Sequence, residues 1–109
     1  MATMTLSELR SILGDWMLGE LVGVPSALVE KIETATVSPE VAGRIKLIGQ
    51  VVWCLLGAYD SEGIRRWFGR RRPQLEGSSP AEHLGTDWLA DSPSANKILQ
   101  LAKELTSPG

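Results

Sequence analysis

The chain has few of the residues that build disulfides and metal sites. Among its 109 residues there is one cysteine, Cys54, and one histidine, His83. A single cysteine excludes an intramolecular disulfide and a cysteine-rich metal site. Because His83 has no cysteine or histidine close to it in sequence, we expect neither zinc nor any other cofactor. Cys54 lies in the apolar run QVVWCLLGAY, which predicts a buried, reduced thiol.

Long hydrophobic runs and strand patterns are also scarce. No stretch reaches the roughly 18 apolar residues of a membrane span, and no basic N-terminal segment leads into an apolar run. We therefore expect a cytoplasmic protein with no membrane association. Alternation of period two is nearly absent, whereas apolar residues recur at intervals of three and four. This pattern predicts an all-α fold, a small bundle of about seven short helices.

Catalytic constellations are missing as well. The sequence shows no nucleophile–base pair, no paired carboxylates on one helix face and no glycine-rich loop for phosphates, so we expect a protein that is not an enzyme. Charge is distributed unevenly: five of the 11 basic residues fall within eight positions. These are Arg65, Arg66, Arg70, Arg71 and Arg72. Like charges this close repel one another, and we expect them to have no structural role and to face an anionic partner.

Serine–proline pairs predict where several helices begin. Ser38-Pro39-Glu40 combines an N-cap, a proline at the first helical position and an acid in the first turn. Its apolar positions predict a long helix from about 39 to 58. Ser79-Pro80 repeats the signal, and Ser79 with Glu82 fits a capping box. Ser92-Pro93 predicts the start of a last helix.

Residues 15–34, DWMLGELVGVPSALVEKIET, match the spacing of a helix-turn-helix motif. Such a motif needs a small residue midway along its first helix, where the second helix crosses close to it, and Gly19 stands there. It needs a residue that tolerates positive φ at the turn, and Gly23 follows four positions later. The apolar anchors around the turn would be Val22, Val24, Val29 and Ile32. The spacing therefore predicts a helix-turn-helix.

The predicted second helix of this motif gives weak support for DNA binding. It would present Ser26, Ala27, Glu30, Lys31, Glu33 and Thr34. Two glutamates against one lysine match phosphate poorly, and no arginine, asparagine or glutamine is present to contact a base edge. Further phosphate contacts would have to come from Arg10, Arg44 and Lys46 on neighbouring helices. A motif retained as a scaffold or dimer surface is the alternative.

The segment WFGRRRPQLEGSSPAEHL, residues 67–84, has a distinctive residue order. A tryptophan and a second large apolar residue precede a loop, a leucine, a glycine, and a proline that opens a helix ending in leucine. Those places are taken by Trp67, Phe68, Leu75, Gly77, Pro80 and Leu84. This order resembles the C-terminal toxin-binding domain of the Xre/MbcA/ParS antitoxins, whose usual companion is an N-terminal helix-turn-helix. The chain departs from that family in its acidic second helix and in the stretch TDWLADSPSANKILQLAKEL.

The resemblance implies an antitoxin that neutralises a cognate protein toxin of the NAD-consuming RES class and represses its own operon. It implies a division into residues 1–60, the helix-turn-helix with a long dimerisation helix, and residues 61–109, the toxin-binding region. The toxin contacts would be the five clustered arginines together with Glu82 and Trp88. Trp67 and Phe68 are expected to pack under the loop and Leu75 to anchor it to the core.

Two other functions fit the same residues. A small helix-turn-helix transcriptional regulator without a toxin partner would bind operator DNA, and an interaction adaptor would carry the motif as a vestige. A homodimer is expected in any of these cases, because Val51, Trp53 and Leu56 add apolar surface beyond the main stripe of the long helix.

Overall fold

Seven α-helices and one 3-10 turn account for the regular structure of the residues that the structure describes. The computed structural model describes residues 4–32, 37–85 and 88–106. In chain order the elements are α1 (Leu6–Leu13), α2 (Asp15–Val22), α3 (Ser26–Ile32), α4 (Pro39–Leu55), α5 (Ser61–Gly69), the 3-10 turn (Pro73–Leu75), α6 (Pro80–Leu84) and α7 (Pro93–Thr106). Over these ranges no β-strand forms, so the predicted all-α class is confirmed. None of the helices described is long and apolar enough to cross a membrane.

The predicted helix starts are present as hydrogen-bonded caps. The Ser38 hydroxyl accepts from the Val41 N–H at 3.3 Å. At α6, the Ser79 hydroxyl accepts from the Glu82 N–H at 3.2 Å, and the Glu82 carboxylate accepts from the Ser79 N–H at 3.0 Å. The long helix α4 ends at Leu55 rather than near 58, where the Gly57 and Ala58 N–H groups donate three rather than four positions back, to the Cys54 and Leu55 carbonyl oxygens.

The hydrophobic core runs along α4. Helix α7 lies against α4, the first two helices of the chain, α1 and α2, also pack on α4, and α5 packs on α1. Its fully buried members come from nearly every helix: Leu9, Leu18, Val22, Val29, Ile48, Val51, Val52, Leu55, Ile64, Phe68, Leu75 and Ile98. The radius of gyration is 13.1 Å, close to the ~13 Å of a single domain of this length. Residues before and after position 60 therefore share one core.

Helices α2 and α3 form the helix-turn-helix that the spacing predicts. A Cβ atom on Gly19 would collide with the Val24 carbonyl oxygen, so only glycine permits this close approach. Gly23 ends α2 with φ of 80° and ψ of 31°, the left-handed region that glycine adopts without strain. Val22 and Val29 are fully buried at the crossing. The acidic residue Glu30 lies exposed on α3.

Candidate partner-binding surface

The arginine-rich chain after α5 forms a short loop whose ends are tied together. We call residues 70–78 the arginine loop. The Arg72 N–H donates to the Ser78 carbonyl oxygen at 3.1 Å, and the Arg72 carbonyl oxygen accepts from the Gly77 N–H at 3.0 Å. Leu75 is 1% exposed and anchors the loop to the core, as predicted. The loop is thus held by backbone bonds and an apolar anchor, which gives its side chains a fixed frame.

Trp67 and Phe68 form the floor beneath the arginine loop. Their ring centroids are 5.2 Å apart with planes at 90°, the edge-to-face geometry that aromatic quadrupoles favour. Both rings are buried. The prediction that these aromatic residues are structural is confirmed.

The five clustered arginines have different environments, and the expectation that none has a structural role is wrong. Arg65 donates to the Ile12 carbonyl oxygen at 2.6 Å, which ties α5 to the end of α1. The Arg72 guanidinium lies over the Trp67 ring, 5.1 Å from its centroid. Neither contact can be predicted from the sequence spacing, because one depends on how α5 packs against α1 and the other on how the arginine loop folds back over α5.

The other three arginines lie at the surface. Arg66 pairs with Glu62 one turn earlier at 2.7 Å, and Arg71 approaches Glu82 at 3.5 Å. Arg70 is exposed, and its side chain makes no hydrogen bond or ion pair with the part of the chain that the structure describes. Arg70 and Arg71 are therefore the arginines most available to a partner.

An apolar groove opens beside the arginine loop, between α2 and α6. Its volume is about 440 Å³. It is lined by Trp16, Met17, Glu20, Leu21, Phe68, Gly69, Ala81, Glu82 and Gly85. Trp16 is 69% exposed, the most exposed large apolar side chain in the described residues. The predicted partner residue Glu82 thus lies at the rim of an apolar surface.

Trp16 is the residue that the sequence analysis missed. Leu18, Leu21 and Val22 point one face of α2 into the core. Trp16 is two positions before Leu18, which in a helix is more than half a turn away from that face. The helical spacing around Trp16 could therefore have revealed its exposure.

Hydrogen bonds hold the Glu82 carboxylate in its charged form. The Ser79 backbone N–H lowers its pKa most, followed by the Ser79 hydroxyl and by Arg71. The carboxylate is therefore ionised at neutral pH, and its first role is to cap α6.

Two residues predicted to contact a toxin or DNA lie inside the fold instead. Trp88 is 5% exposed, and its indole N–H donates to the Leu21 carbonyl oxygen at 2.7 Å. The Arg44 guanidinium donates to the Trp88 carbonyl oxygen at 2.7 Å and to the Val22 carbonyl oxygen at 3.1 Å. These side chains bind the backbone at the C-terminal end of α2, where helix carbonyls lack partners within the helix. Neither therefore lies free on a binding surface.

The remaining residues predicted to contact DNA are spread over the N-terminal half. Arg10 donates to both carboxylate oxygens of Asp15, at 2.8 and 3.1 Å, and lies 4.0 Å from Glu30. Ser26, Ala27, Lys31 and Lys46 are exposed. Thr34 lies outside the described residues. The acids beside Arg10 weaken its availability to phosphate.

A second apolar patch lies at the end of α4. Trp53 is 53% exposed, Leu56 40% and Tyr59 36%. Val51, which was also expected at the dimer surface, is fully buried in the core. Cys54, expected to be buried, is half-buried.

The described residues contain no group of three or more side chains that could hold a metal ion. Comparison of the chain with family models, with curated proteins and with solved structures finds no match.

Proposed function

We propose that this protein is an antitoxin, which binds a separate protein toxin and holds it inactive. The observation that carries the proposal is the strongly exposed Trp16 in the lining of the apolar groove, where another lining residue, Glu82, approaches Arg71 of the arginine loop. We propose the groove together with Arg70 and Arg71 as the toxin-binding surface.

The chemistry of this surface is that of a protein interface. Tryptophan and arginine are the residue types that most often dominate binding energy between proteins. An apolar patch rimmed by charged side chains is typical of interaction sites. Glu20 and Glu82 in the groove lining, with Arg71 beside Glu82, supply both signs of charge for orienting a partner.

The resemblance of residues 67–84 to the Xre/MbcA/ParS antitoxins supports the choice of partner. The residues that carry the resemblance build the floor and the anchor of the arginine loop and the helix α6 beyond it. By that resemblance the toxin is of the NAD-consuming RES class, and residues 61–109 block its active site.

The second candidate is a transcriptional regulator, favoured by the helix-turn-helix of α2 and α3. The charges near this motif argue against DNA binding. Glu30 on the exposed side of α3 repels phosphate, and Arg10 is paired with Asp15. Repression of the antitoxin's own operon would need a partner or a second copy to supply basic contacts.

The test is co-purification with the product of the neighbouring gene, followed by an assay of NAD consumption. We expect a stable complex in which consumption stops. Trp16→Ala should weaken the complex by at least about 30-fold, because interface hot spots contribute about 2 kcal/mol or more. Leu89→Ala is the control, since Leu89 is 50% exposed and does not line the groove.

Absence of both complex and inhibition would reject the antitoxin proposal. Tight binding to upstream DNA by the chain alone, with a steep loss of affinity as salt rises, would then favour the regulator.

A further inference from the structure

A small polar pocket lies on the face of α5 that turns towards the arginine loop. Its volume is about 230 Å³, and it is lined by Tyr59, Gly63, Arg66, Trp67, Arg70 and Arg72. The first five of these residues lie on α5 or directly beside its ends. Their helical spacing places them along one side of the helix. Arg72 closes the pocket from the loop, stacked over Trp67. Its lining includes three guanidinium groups and no carboxylate.

Two side chains in this lining carry an N–H donor that has no acceptor among the described residues. Among the described residues, the buried side-chain polar atoms without a hydrogen-bond partner are Trp67 Nε1 and Arg72 Nε. Buried donors in folded proteins are almost always paired, and leaving one unpaired is costly. That both unpaired atoms belong to side chains lining one cavity points to a missing acceptor there.

The electrostatics of the pocket also favour an anion. Burial lowers the pKa of Arg72, the charge of Arg70 lowers it further, and Tyr59 acts in the opposite direction. Two guanidinium groups thus repel each other in a partly desolvated space. Of the carboxylates nearby, Glu62 pairs with Arg66, and Asp60 caps α5 by accepting from the Gly63 N–H.

We propose that this pocket binds a phosphate-type oxyanion, either inorganic phosphate or the phosphate group of a small phosphate ester. Three guanidinium charges less the paired charge of Glu62 leave about two positive charges, which match the −1.5 to −2 of a phosphate monoester at neutral pH. A carboxylate has a single charge and fewer acceptor oxygens for the guanidinium, phenol and indole donors. The space exceeds the ~30 Å³ share of one water several times over, which leaves room for a phosphate group. This site goes beyond the proposed antitoxin function, and its test needs the chain alone.

The test follows the Trp67 indole N–H by NMR while phosphate is added at constant ionic strength. The Trp67→Phe variant identifies the signal by its loss. We expect a saturable shift of that signal with phosphate and a thermal midpoint that rises with phosphate concentration, because a ligand of the folded state stabilises it. Parallel titrations with inorganic phosphate, pyrophosphate and glycerol 3-phosphate show which source the pocket prefers, and an acetate titration tests a carboxylate.

Arg70→Gln should weaken phosphate binding about 10- to 100-fold, because hydrogen bonds to charged groups are the strong ones. Arg72→Gln should do the same, and circular dichroism checks that the loss of its stacking on Trp67 leaves the fold intact. Arg71→Gln is the matched control: it removes the same charge from the same loop, but Arg71 does not line the pocket. We expect less than about a threefold change there, since an exposed charge outside the pocket is screened by salt.

Three results would overturn the proposal. They are the absence of a saturable shift with any phosphate compound, equal weakening by Arg71→Gln and Arg70→Gln, and acetate binding as tight as that of phosphate. Equal weakening would mean a diffuse basic patch. None of these results bears on toxin binding, which is tested separately by co-purification with the toxin and by the assay of NAD consumption.

Discussion

Arg44 shows how one side chain can join three parts of this fold. From α4 it donates to the carbonyl oxygen of Val22 at the end of α2 and to that of Trp88 ahead of α7. Trp88 in turn donates to the Leu21 carbonyl oxygen. Two adjacent carbonyls at the end of α2 therefore obtain partners from distant parts of the chain, which fixes the helix-turn-helix against the C-terminal half.

Replacing Arg44 tests this structural role against the predicted contact with DNA. Arg44→Met should lower the free energy of unfolding by about 1–3 kcal/mol, because it removes the partner of two part-buried carbonyl groups. Urea unfolding monitored by circular dichroism gives the value. Lys46→Met is the control, since Lys46 is exposed on the same helix and should change stability by less than about 0.5 kcal/mol. Equal stability of both variants would contradict the structural role.

Two of the short helices, α1 and α6, begin with the same reciprocal cap. Thr5 and Glu8 form it at α1, and Ser79 and Glu82 form it at α6. In each, backbone and hydroxyl hydrogen bonds lower the pKa of the glutamate from its usual 4.5. A group whose pKa is lower in the folded state stabilises the fold above its unfolded pKa and loses this effect as pH falls.

Stability should therefore decrease as pH falls below about 4.5, as the two capping glutamates and Asp15, whose pKa Arg10 lowers, become protonated. Thermal melts between pH 7 and pH 2.5 measure the change. The double variant Thr5→Ala, Ser79→Ala should show a somewhat smaller decrease, because each glutamate loses the hydroxyl bond that helps to lower its pKa and keeps the bond from the backbone N–H.

Ser38→Ala is the matched control for this pH series. Ser38 caps α4 without an acidic partner at the third helical position. Its loss should lower stability by about 1 kcal/mol at every pH and leave the pH dependence unchanged. A double variant with the pH dependence of the wild type would contradict the assignment to capping.

At the scale of the whole molecule, two of the apolar areas on the described surface have different proposed partners. The groove at Trp16 is assigned to the toxin, and the patch of Trp53, Leu56 and Tyr59 at the end of α4 is available to a second copy. Large exposed apolar patches are uncommon on monomeric proteins. The predicted homodimer would bury the second patch and leave the groove open.

Trp53→Glu should therefore convert the dimer to a monomer, because it places a charge in an apolar interface. Light scattering after size exclusion measures the mass, and circular dichroism checks that the helices persist. Trp16→Glu introduces the same charge at the other tryptophan and should leave the mass unchanged. A wild-type chain that is monomeric at every concentration, or a Trp53→Glu dimer, would contradict the prediction.

Local patterns predicted most of the fold correctly. The serine–proline signals located the starts of α4, α6 and α7, and the glycines at 19 and 23 located the crossing of α2 and α3. These features depend on neighbours within about four positions, which is the range over which helix periodicity and capping act. The same range explains why Leu75 and the two aromatic residues before the arginine loop were assigned correctly to the core.

The starts of most helices, their caps and much of the core can be predicted from the amino-acid sequence, because these features follow from local chemistry and apolar spacing. Which polar side chains are free to bind depends on how the helices pack. Arg44, Arg65 and Trp88 read as surface contacts in the sequence, yet each donates to a carbonyl oxygen at least 22 positions away. Trp16 was assigned to no surface in the sequence, and the structure leaves it 69% exposed on α2. Long-range hydrogen bonds form only when the helices pack. The fold therefore decides which side chains hold the structure together and which remain available to bind a partner.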